Sequence, residues 1–110
     1  MKEGERITEF TTSLHPADIL IRLFRIQREL GASSEKLTFP ELKGGGKDSP
    51  PEIGYVFFGE EKGTGWCVQI VADECFGRCN VFISAVGSQE FSLEESIIKA
   101  DLIAERLREA

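Results

Sequence analysis

The amino-acid sequence predicts an α+β two-layer sandwich, with an antiparallel sheet of three to five strands and two helices packed on one face, in the order β-α-(β)-β-β-β-α. Three observations predict it. Residues 53–86 hold three strand-length apolar runs joined by Gly-bearing turns that are too short for parallel crossovers. An amphipathic helical stripe precedes them, and a second follows.

The first element is a short strand over Ile7–Thr12, where apolar and polar residues alternate. His15-Pro16-Ala17-Asp18 then opens a helix. Proline suits the first helical position, where its missing N–H has no partner to lose, and Asp18 favours the positive end of the helix. The helix runs to Leu30 and stops at Gly31 through a left-handed residue. Ile19, Leu23, Ile26 and Leu30 form its core stripe, widened by Leu20 and Phe24.

Glu35–Phe39 reads as a brief edge strand, and residues 43–51 as a flexible Gly/Pro surface loop. The three main strands are Ile53–Phe58, Trp66–Ala72 and Val81–Val86, with turns at Gly59–Gly65 and Asp73–Asn80. Setting Ile70 opposite Ile83 puts Trp66, Val68, Ile70 and Ala72 on one face with Val81, Ile83 and Ala85. A slip of one residue mixes polar and apolar side chains on both faces, so burial selects this register. Ser92-Leu93-Glu94-Glu95 is a capping box: the Ser92 hydroxyl accepts from the Glu95 N–H while the Glu95 carboxylate reaches back to the Ser92 N–H. Leu93, Ile97, Ala100, Ile103, Ala104 and Leu107 form the core stripe of the second helix.

A chain of 110 residues predicts one domain over 1–110, burying roughly 60–68% of its unfolded surface. The net charge of −6 repels phosphate, which argues against non-specific nucleic-acid binding and against anionic membranes. Met1–Arg6 is charged throughout and no apolar run reaches membrane-spanning length, so no leader or anchor is expected. Three cysteines leave one over from any pairing, which suits a reducing cytoplasm.

Candidate chemistry is sparse. Cys67, Cys75, Cys79 and His15 match the ligand count of a Cys3His zinc site, but lack its tight paired spacing on both arms. Small apolar residues and a turn explain them as well, so no metal and no cofactor is expected. Arg78 beside Cys79 lowers a thiol pKa if that thiol is exposed, which leaves thiol or metal chemistry at the Cys75–Cys79 turn as one alternative. Replacing both of those cysteines by serine is expected to leave stability nearly unaltered. Neither a Gly-x-Ser-x-Gly elbow nor a phosphate-binding Gly-x-x-x-x-Gly-Lys-Ser/Thr loop is present, and the inventory favours a non-catalytic protein over an enzyme.

Binding residues stand out more clearly. Ile98 and Leu102 lie one turn apart on the second helix, away from its core stripe, and Ile21 is similarly misplaced on the first. The second sheet face carries Val71, Phe82 and Val86, with Cys67 beside them. Arg22, Arg25 and Arg28 line the outer side of the first helix. Asp18 and Glu29 stand four residues from Arg22 and Arg25, so a salt-bridged solvent face competes with a grip on an acidic partner. The interface candidates are therefore Ile98, Leu102, Val71, Phe82, Val86, Arg22 and Arg25.

Phe10-Thr11-Thr12 followed by Pro16-Ala17-Asp18-Ile19, with a meander feeding residues 96–107, resembles in pattern the kinase-associated C-terminal domain. That family binds anionic lipid heads through basic surfaces, and this acidic chain departs from it there. Leu30-Gly31 with Leu37-Thr38-Phe39 is similar to the small acidic secretion chaperones. Neither likeness assigns a family. The expectation is a small cytoplasmic binding or adaptor protein, self-associating through an apolar surface or holding a protein partner. Its alternative is a small-molecule site or enzyme between the sheet and the 43–51 loop.

Overall fold

The computed structural model describes residues 4–36, 52–75 and 78–108. They form β1 (Gly4–Thr12), α1 (Pro16–Leu30), β2 (Ser33–Lys36), β3 (Glu52–Glu61), β4 (Thr64–Cys75), β5 (Arg78–Gly87) and α2 (Leu93–Arg108). The strands make one five-stranded sheet in the order β1-β5-β4-β3-β2, with every neighbouring pair antiparallel. Both helices pack on one face and touch each other: α1 over β3 and β4, α2 over β4, β5 and β1. This is the two-layer α+β sandwich that the residue pattern predicts. Among the described residues no helix is long and apolar enough to cross a membrane.

The register is the expected one. Ile70 faces Ile83, Val68 faces Ala85 and Ala72 faces Val81. Alternate residues of β4 and β5 then point into the helix layer, and Trp66, Val68, Ile70, Ala72, Val81, Ile83 and Ala85 are all buried. Ile19, Leu23 and Ile26 of α1 close the core from above, together with Ala100, Ile103, Ala104 and Leu107 of α2.

The strands run further than apolar content implies, and the turns are correspondingly shorter. The β3–β4 connection is only Lys62-Gly63, with φ of 51° and 83°, whereas the sequence reading allots Gly59–Gly65 to it. Two successive positive φ values match the right-handed twist of a two-residue hairpin, and glycine takes the second without steric cost. Once that turn is set, backbone pairing carries Glu60, Glu61, Thr64 and Gly65 into the ladder whatever their polarity. At the other end, Cys75 pairs with Arg78, so most of the predicted Asp73–Asn80 turn is strand. The first strand likewise begins at Gly4, three residues ahead of the predicted Ile7, because β5 continues to Gly87 and supplies it with partners.

The edge strand is found at Ser33–Lys36 and not from Glu35, because its partners on β3 are Phe58 to Tyr55. Residues 37–39 of that prediction, and the whole predicted loop 43–51, lie outside the described residues. Phe24 does not join the core stripe. It stands 43% exposed at the margin of α1, with its ring edge-to-face on Tyr55 at 5.6 Å and 78°.

Candidate functional site

The outward surface of the helix layer is built by two helices whose ends are firmly fixed. The His15 Nδ1 accepts the Ala17 N–H at 3.1 Å, with Pro16 beginning the helix, and Gly31 closes it at φ 63°. These caps set the rotation of α1, and with Ile19, Leu23 and Ile26 buried, Ile21 must face outward, where it is 56% exposed. Arg25 and Arg28 are exposed beside it, one turn and two turns on.

The second helix also sets an exposed aliphatic among charges, here mostly acidic, with Arg106 and Arg108 in its last turn. Ile98 is 57% exposed, Leu102 beside it is half-buried, and Glu94, Asp101 and Glu105 are exposed around them. Two ion pairs tie this surface to the rest of the molecule. Arg6 of β1 meets Asp101 at 3.1 Å, and Arg106 meets Glu29 of α1. Glu29 therefore serves α2, and the expected Arg25–Glu29 pairing along the helix is not its ion pair.

The start of α2 is held by hydroxyls. The Ser92 Oγ accepts the Glu95 N–H at 3.2 Å, which is one half of the expected capping box. The other half does not form, because the Ser92 N–H donates to the Gly65 carbonyl at 2.8 Å and so pins the helix entry to β4. The Glu95 carboxylate turns instead to Lys99 at 3.6 Å. Lys99 also reaches Glu61 at 2.9 Å and lies 5.8 Å from the Trp66 ring centroid. The hydrogen bond and charge of Lys99 hold the Glu61 carboxyl below the usual carboxylate range, and Glu61 in turn raises the Lys99 ammonium.

Ser96 is the residue that pattern reading passes over. It is fully buried, its hydroxyl accepts the Cys67 N–H at 2.9 Å, and it donates to the Val86 carbonyl at 2.8 Å. Cys67 and Val86 face each other across β4 and β5, so one side chain of α2 bridges two strands. The available signal is helical spacing, since Ser96 falls on the same arc as Ile103 and Leu107.

The opposite face of the sheet carries no helix among the described residues. By the pleat, Ile7, Val56, Phe58, Cys67, Val71, Phe82 and Val86 share it. Val71 pairs with Phe82 and Cys67 with Val86, which brings the predicted sheet-face candidates together. Val71, Phe82 and Val86 are half-buried and Cys67 is buried, while Ile7 on the edge strand is 59% exposed.

The cysteines are not brought together. Cys79 points into the core at 1% exposure, while Cys67 lies on the helix-free face at 7%. Cys75 pairs with Arg78 and Cys79 with Glu74, so the register does not set the two turn cysteines opposite one another. Burial pushes the Cys67 thiol up, which keeps it protonated and weakly nucleophilic at neutral pH. His15 is committed to its cap. No group of three His, Cys, Asp or Glu among the described residues is placed to hold a metal ion.

The core position of Cys79 also revises the expected tolerance to serine. Cys79→Ser replaces a buried sulfur of the apolar core by a smaller, more strongly hydrated hydroxyl and is expected to lower stability by about 0.5–3 kcal/mol in urea denaturation.

A shallow depression of about 560 Å³ lies between the Lys62-Gly63 turn and residues 88–94. Its nearby backbone donors are used locally: the Ser88 Oγ accepts the Glu90 and Phe91 N–H groups at 3.1 and 3.3 Å. The predicted pocket beneath residues 43–51 lies outside the described residues.

The chain matches no protein-family model and no curated protein.

Proposed function

We propose that the protein is a small non-catalytic binding or adaptor module of the cytoplasm that works as a self-associated unit, joined through the outward surface of its helix layer. One observation carries the reading. Four large apolar side chains are exposed among the described residues (Ile7, Ile21, Phe24 and Ile98), and three of them stand on the two helices. A soluble surface tolerates single exposed aliphatics. Exposed apolar side chains repeated on two adjoining helices are what a partner surface buries. The commitment of His15 to its cap and the burial of the Cys67 and Cys79 side chains support a binding role over catalysis.

The test is the native mass, set against the denatured mass. A clean multiple of the chain mass is expected for the wild type, and the monomer for Ile98→Glu combined with Leu102→Glu. Both side chains lie off the core stripe, so the variant should keep its fold by circular dichroism. Association unchanged by these substitutions sinks the helix-layer interface.

A second reading is favoured by the Val71–Phe82 pair. Here the helix-free sheet face, from Val56 and Phe58 to Val86, holds the apolar surface of a protein partner. Association that survives the helix substitutions but fails in Phe82→Glu directs attention to that face.

A further inference from the structure

Resting on the reading that the protein self-associates through its helix layer, we infer that the unit is a two-fold pair in which α1 of each copy lies on α2 of the other. The argument is charge. The outward face of α1 presents Ile21 with Arg25 and Arg28 and, in its first turn, Asp18, all exposed. The outward face of α2 presents Ile98 with Glu94, Asp101 and Glu105, also all exposed. Each face has an aliphatic centre. With Arg106 and Glu29 paired to each other, the remaining charges of the α1 face are two arginines against the single Asp18, and those beside Ile98 are all carboxylates, so the two surrounds differ in net sign.

These faces cannot satisfy one another within a single copy, because both point away from the same sheet. A second copy supplies what each lacks. A two-fold axis lying in the surface, midway between the helices, carries α1 onto α2 and α2 onto α1, so the contact is made twice. Ile21 then meets Ile98 of the other copy, and arginines meet carboxylates around them. The competing two-fold pairings, α1 on α1 or α2 on α2, set arginine against arginine or carboxylate against carboxylate, which charge repulsion disfavours. Asp101 already pairs with Arg6, so Glu94 and Glu105 carry most of the acidic contribution.

The pairing rule yields a test that a purely structural role of these residues does not mimic. Arg25→Glu with Arg28→Glu makes both helix faces acidic. Glu94→Lys with Glu105→Lys makes the α2 face predominantly basic, to match α1. Each double variant alone is expected to sediment as a monomer where the wild type is dimeric, a weakening on the order of 100-fold. Mixed in equal amounts, the two should form a heterodimer, since both contacts then join opposite charges. Added salt should weaken the wild-type pair as well.

Dimers formed by each double variant alone overturn the α1–α2 docking while leaving self-association intact. Monomers in the mixture overturn it too, because complementary charge then fails to restore the contact. A wild type that stays monomeric at several hundred times the variant working concentration removes self-association itself, and this inference with it.

Discussion

Trp66→Ala is expected to lower the free energy of unfolding by about 3–5 kcal/mol in urea denaturation. Trp66 is the largest fully buried side chain, 1% exposed, on the helix side of β4. Its ring lies in a slot that only a small neighbour permits. It pairs with Gly59, where an added Cβ would come within 3.0 Å of the indole Cζ2. From the helix side, Lys99 stands 5.8 Å from the ring centroid.

The cation adds less to the balance, on the order of 0.5–2 kcal/mol for a pair largely shielded from water. Burial of the indole surface and the cavity left by its removal dominate. The same loss should loosen the start of α2, because Lys99, Glu61 and the Ser92–Gly65 bond all meet around this ring. A variant that unfolds at the wild-type urea midpoint would place Trp66 outside the core and reverse the two faces of the sheet.

The register around Trp66 is legible from residue types because side chains alternate with a period of two. A slip of one residue sets the apolar residues of one strand, Val68 and Ile70, beside the polar face of the other, so apolar burial chooses between the two facings. Strand ends carry no such penalty. Glu60, Glu61 and Thr64 pair through backbone groups that every residue possesses, and the turn at Lys62-Gly63 decides how far they pair. The signal for that turn is a single Lys-Gly, weaker than Asn-Gly or Asp-Gly in the same place.

Helix rotation is similarly legible, since Ile21 and Ile98 stand opposite well-formed stripes. Phe24 is misread because it lies on the margin of its stripe, where helical projection cannot separate a core contact from the ring of Tyr55. The candidate surface is half legible for a related reason. Its apolar members and its arginines stand out one helix at a time. The acidic surround of Ile98 acquires meaning only when the fold sets α1 and α2 side by side on one face.

Ser96→Ala is expected to cost about 1–3 kcal/mol for each of the two backbone groups that lose their partner. The Cys67 N–H and the Val86 carbonyl face each other between β4 and β5, and the Ser96 hydroxyl satisfies both, at 2.9 and 2.8 Å. Alanine fits the space, so the fold survives. Serine is nevertheless the only polar residue fully buried among the described residues, which shields the freed groups from water. Unlike a core truncation, this loss comes mainly from unpaired polar groups, and that difference is measurable. Hydrogen exchange should show the Cys67 amide protected in the wild type and exchanging markedly faster in the variant, while the Ile70 amide changes only with the global loss of stability. An unchanged melting temperature with a protected Cys67 amide would mean that β4 and β5 close on each other without the serine. In that case the apolar stripe of α2, its ion pairs to Arg6 and Glu61 and the Ser92–Gly65 bond hold it to the sheet without help from Ser96.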